Sequence, residues 1–162
     1  MTFKIDPALD LVLERSVDVP AAFVWKAWTT PEILKQWFCP KPWQTTEAEM
    51  DLRPGGVFRT RMEGPDGQAF DNVGCFLEVI PQSRIVWTGA LGPGFRPVVN
   101  ASSIPFVMTA IITIEGTPSG GTKYTATVLH ADTGSREKHE AMGFHHGWSA
   151  AFDQLVALAP TR

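Results

Sequence analysis

Cysteine is scarce in this chain. There are two in 162 residues, Cys39 and Cys75, at no spacing that suits a metal. That excludes a disulfide framework and a thiolate cluster, and it fits reduced thiols in a cytoplasmic setting. An excess of either charge is also lacking. Fourteen Lys and Arg stand against seventeen Asp and Glu, a net charge of −3. There is thus no basic footprint for nucleic acid and no polybasic run for anionic lipid. No apolar stretch approaches the roughly 20 residues of a membrane span. The opening MTFKIDPALDLVLERSV has no continuous apolar segment of the signal-peptide kind. The expectation is one cytoplasmic globular domain over 1–162, with no nucleic-acid and no membrane partner. Catalytic signatures are missing too: no G-x-S-x-G, no P-loop, no G-x-G-x-x-G after a strand and no H-E-x-x-H. Tyrosine occurs once, at Tyr124, against six tryptophans. Each Trp buries a large apolar area, so many of the six are expected to line a core or a cavity.

Periodicity supplies the elements. Leu9–Val17 alternates as a strand, with Leu11, Leu13 and Val17 on one face. In DVPAAFVWKAWTTPEILKQWF, Phe23, Val24, Ala27 and Trp28 repeat at helical spacing after Pro20. Thr30 and Pro31 then read as a cap and first-turn proline of a second short helix bearing Ile33, Leu34 and Trp37. Turn signals at RPGG, GPDG, IPQS and TPSGG separate six further strands: Gln44–Asp51, Val57–Met62, Ala69–Ile80, Arg84–Ala90, Phe106–Glu115 and Thr122–Leu129. Parity turns Phe58, Thr60 and Met62 inward and Arg59 and Arg61 outward. It turns Phe106, Met108, Ala110, Ile112 and Ile114 inward, and likewise Tyr124, Ala126, Val128 and His130. The parity of Arg84–Ala90 stays open. A buried Tyr124 or His130 needs a polar partner.

The stretch from Ser135 to Ala159 reads as one long helix. At 100° per residue, Phe144, Trp148, Ala151, Leu155 and Leu158 form a stripe flanked by Ala141, Gly147 and Phe152. His139, His146 and Asp153 fall opposite, and His145 lies at the boundary, where it reaches a pocket mouth. Adjacent His145 and His146 diverge by a full step, and His139 and His146 stand roughly 10 Å apart, so no metal site is expected. Gly143 and Gly147 each cost helix stability, about 1 kcal/mol relative to alanine. Gly147 leaves room beside the stripe; the wheel gives no account of Gly143.

Strand, two short helices, six strands and a long helix: this order resembles the helix-grip fold of the START / Bet v 1-like (SRPBCC) superfamily. The blocks VPAAFVWKAWTTPEILKQWF, DLRPGGVFRTRM, GPDG, GCFLEVIPQSRIVWT and HEAMGFHHGWSAAFDQL resemble the group related to the activator of Hsp90 ATPase homologue 1. The resemblance runs from about Leu11 to Leu158. It implies an α+β fold in which a seven-stranded curved antiparallel sheet wraps the C-terminal helix and leaves a cavity. It implies no shared catalytic set, so the catalytic residues are unassigned and no cofactor is expected. With the parity and wheel above, the cavity wall comprises Trp28, Trp37, Phe38, Phe58, Met62, Met108, Tyr124, His130, Phe144, His145 and Trp148. Such a wall suits a small hydrophobic or aromatic ligand. The alternatives are a cyclase- or hydrolase-like enzyme using Tyr124, His130 and His145, and a chaperone-associated protein of the Hsp90-activator kind.

One connection is too long for a hairpin. LGPGFRPVVNASSIP, Leu91–Pro105, is expected to act as a lid over one mouth, near the second short helix and the first half of the last helix. Phe95, Arg96 and Asn100 are its contact residues, with Gly92 and Gly94 as hinge. The other use of its apolar groups is a homodimer contact.

Overall fold

Alternating side chains build the sheet that dominates the chain, whose computed structural model describes residues 4–98 and 106–160. Strand β1 (Asp10–Val17) precedes helices α1 (Ala21–Thr29) and α2 (Pro31–Leu34). Strands β2 (Gln44–Met50), β3 (Val57–Glu63), β4 (Ala69–Ile80) and β5 (Arg84–Thr88) follow. A two-residue ladder of β6 (Leu91–Gly92) and β7 (Arg96–Pro97) comes next, then β8 (Met108–Gly116) and β9 (Thr122–His130). Seven strands form one antiparallel sheet in the order β1-β9-β8-β5-β4-β3-β2. Helices α1 and α2 carry the chain from one edge of that sheet to the other. The observed strands match those expected to within two residues at each end.

The inward set is largely as expected: Leu11, Phe58, Thr60, Ala110, Ile112, Ile114, Tyr124, Ala126 and Val128 are all buried. The undecided strand has a physical reason for its ambiguity. Ile85 and Trp87 face the core, but Val86 and Thr88 are buried on the outer face as well. There Val86 pairs with Ile111, and Thr109 donates its hydroxyl hydrogen bond to Thr88. Further along the same face Arg59 bridges Asp71 and Glu47, Arg61 lies near Glu63, and Arg84 near Glu78. Arg59 and Arg61 thus sit on the outer face, and Arg59 holds the Asp71 carboxyl below its usual range.

The C-terminal segment differs from the single helix expected. It is two helices, α3 (Thr133–Ala141) and α4 (Phe144–Ala157), separated at Gly143, whose φ is +95°. The Gly143 N–H donates to the Glu140 carbonyl and the Met142 N–H to that of Lys138, closing α3 with a left-handed residue where glycine pays least. Along α4 the stripe is as the wheel placed it: Phe144, Ala151, Phe152 and Leu155 are buried, and His146 and Asp153 are exposed. Along α3 it is not, because the break resets the phase. His139, expected on the solvent side, is buried at 7% exposure.

Polar contacts fix α4 across the sheet. Arg15 of β1 donates to Ser149 Oγ at 2.8 Å and pairs with Asp153 at 2.6 Å. At the other end the Gln154 amide donates to the carbonyls of Trp37 and Cys39 and accepts from the Lys41 N–H. Among the described residues no helix is long and apolar enough to cross a membrane.

A side chain at Gly143 would meet nothing within 4 Å, so only its backbone conformation resists substitution. Gly143→Ala is expected to cost about 1–2 kcal/mol through that conformation alone. A thermal melt checks this, at roughly 2–4 °C per kcal/mol for a chain of this size.

Candidate functional site

Between the sheet and the two C-terminal helices lies a cavity of about 340 Å³. Its floor is set by two glycines. Gly74 on β4 and Gly89 just beyond β5 both line it, and neither offers a side chain; at Gly74 a Cβ would run into the Thr88 carbonyl at 2.5 Å. A Cβ at Gly89 would have only the Met108 carbonyl, at 4.0 Å, so the hollow there is open. The roof uses small residues too, Gly147 and Ala151 of α4. The walls are aromatic: Trp28, Trp37, Phe38 and Phe58 form a run of edge-on contacts with ring centroids 5.1–5.7 Å apart.

Nine residues placed on the wall from sequence do line it: Trp28, Trp37, Phe38, Phe58, Met62, Met108, Tyr124, Phe144 and Trp148. His145 does not; it is exposed and lies 3.6 Å from the Glu140 carboxylate. His130 is one layer behind the surface, and the imidazole that reaches the cavity is His139. Phe95 and Arg96 are likewise not over the cavity. The start of the long connection folds into the β6–β7 ladder and docks on the β2–β3 turn: the Gly94 N–H donates to the Gly55 carbonyl, and the Phe95 ring lies over Gly55. Asn100 and the rest of that connection to Pro105 lie outside the described residues.

Polar groups in the wall are few. The Trp28 indole donates to Tyr124 Oη at 3.2 Å, and burial pushes the Tyr124 hydroxyl well above its ordinary pKa. Burial also raises the Cys39 thiol, against the opposing contact with Thr45. Two wall atoms that are themselves fully buried have no protein partner among the described residues: Trp87 Nε1, a donor, and Asn72 Oδ1, an acceptor. Trp87 is 8% exposed. No Asp, Glu, Lys or Arg lines the cavity among the described residues.

Sequence reading missed His139, Trp87, Asn72 and the glycine floor. Asn72 was within reach, since it alternates in phase with Phe70 and Gly74 opposite inward Met62 and Phe58. The signal for His139 was Gly143 itself, read as a helix interior rather than a helix end.

This fold is the helix grip of the SRPBCC, or Bet v 1-like, superfamily. The family model described as Activator of Hsp90 ATPase homolog 1-like protein matches residues 18–159, and the chain belongs to that family. A crystal structure from Nitrosomonas europaea is similar at 49% identity, covering 93% of this chain and 94% of the other, with a TM-score of 0.86. One from Mycobacterium smegmatis is 25% identical, with 96% and 93% covered and a TM-score of 0.75. One from Rhodobacter sphaeroides, at 20% identity, 94% and 93% coverage and a TM-score of 0.79, shares the fold. No curated protein sequence gave a match.

Trp148 is only half-buried and borders the cavity, whereas Phe152 is 1% exposed and stacked 4.0 Å from Tyr124. Phe152→Ala is expected to cost about 3–5 kcal/mol, and Trp148→Ala clearly less. A denaturant titration of both variants checks the order.

Proposed function

We propose that this protein binds a small, neutral, largely aromatic molecule between its sheet and its C-terminal helices. The observation that carries the reading is an apolar cavity whose wall holds an indole donor at Trp87 and an amide acceptor at Asn72, both without a partner among the described residues. A buried polar group without a partner is costly, and a ligand that supplies one recovers that cost. The absence of charged wall residues disfavours an ionic ligand, whose charge would be desolvated without compensation. A volume near 340 Å³ sits at the small end of ligand pockets, which span roughly 300–1,000 Å³. The chaperone-linked role that the family's description brings to mind draws on no feature of this cavity.

Four tryptophans line the site, so binding has a built-in signal. Titration with 2-acetylnaphthalene is expected to give saturable quenching, and 2-naphthoate much weaker binding. Trp87→Phe should weaken the ketone roughly three- to tenfold by removing one hydrogen bond. Gly89→Leu, which fills the floor, should abolish binding while the fold persists. Unchanged affinity in the folded Gly89→Leu protein would show that the cavity is not the site.

A further inference from the structure

The one imidazole on the cavity wall among the described residues is held by a chain of hydrogen bonds that dictates where its protons sit. The Leu9 carbonyl, 2.8 Å from His130 Nδ1, is an acceptor and nothing else, so His130 Nδ1 carries the proton and donates. In a neutral imidazole the second nitrogen is then bare. His130 Nε2 must therefore accept, and the His139 Nδ1–H, 2.9 Å away, donates to it. One position remains: His139 Nε2, left with a lone pair. His139 lines the cavity, is 93% buried by its 7% exposure, and its Nε2 has no protein partner among the described residues. Its ring lies 4.6 Å from that of Phe106 and 5.1 Å from that of Phe144, centroid to centroid, so aromatic rings flank the imidazole. Burial, and then His130, push the His139 pKa down to about 4, so this imidazole is neutral at pH 7.

We propose that His139 Nε2 is the polar anchor of the cavity, a fixed hydrogen-bond acceptor that selects aromatic ligands bearing a hydroxyl donor, phenols or enols. This deepens the binding reading above and rests on it. His130 is a positioning residue: it touches no ligand, but its tautomer sets that of His139. The hydroxyl gives its hydrogen bond to Nε2 while the ring edge packs beside Phe106 and Phe144. An ether of the same shape has no hydrogen to give and leaves the nitrogen unpaired.

The test compares 2-naphthol with 2-methoxynaphthalene in the full chain. Wild type is expected to prefer the naphthol by about tenfold. In His139→Asn the side-chain amide stands where Nδ1 was and still donates to His130, but nothing replaces Nε2, so the preference should vanish. In His139→Gln the longer amide oxygen reaches the Nε2 position and should restore part of it. A ¹⁵N spectrum of labelled histidine should show the His139 Nε2 resonance move with naphthol and not with the ether. Equal binding of the two probes by wild type, or a preference that survives in folded His139→Asn, would overturn the anchor while leaving the binding reading intact. If neither probe nor the ketone binds, the binding reading fails and the anchor with it.

Discussion

An unbroken α-helix from Thr133 to Ala157 would carry His139 to the solvent side of Phe144, because five residues rotate a side chain by roughly 500°, or 140° net. The left-handed backbone at Gly143 removes that constraint. It ends α3, starts α4 on a new phase, and lets two helices each bury their own face. His139 then meets His130 on β9, and Phe106, Phe144 and His139 close one end of the cavity as a contiguous aromatic group. A single residue without a side chain thereby decides which histidine faces inward.

The cavity exists for a complementary reason. Helix-grip sheets curve around the helix, and the space between fills or stays open according to the side chains at its centre. Here the central inner positions are Gly74 and Gly89 on the sheet side and Gly147 and Ala151 on the helix side. Large aromatics stand around that middle and pack against one another, with Phe58 in contact with Phe38, Phe76 and Trp87. Arg15 ties α4 to the edge strand β1, and Gln154 ties it to the segment between α2 and β2.

The strands, their order along the chain and most of the aromatic wall were legible because period-2 alternation and turn residues are local signals. Phe58, Met62, Met108 and Tyr124 followed from parity alone. The failures share a cause. Val86 is an apolar residue buried on the outer face between Arg84 and Thr88, so Ile85, Val86 and Trp87 read as an unbroken apolar run, and Trp87 went unplaced. His139 was misassigned because a wheel assumes one helix, and glycine at a helix end looks in sequence like glycine inside one. The connection after β5 looked like a lid because it is apolar, yet Leu91–Pro97 spends those residues on its own small ladder and on the β2–β3 turn.

The inward His139 is the feature that the cavity's chemistry hangs on, and its protonation reports it directly. Histidine ¹⁵N and ¹³C shifts followed from pH 8 downward, with His139→Asn for assignment, measure it. The account predicts that His139 stays neutral, protonated on Nδ1 and bare on Nε2, until the pH approaches about 4. A His139 that titrates near ~6.5 like a solvated imidazole, or that carries its neutral proton on Nε2, would contradict it.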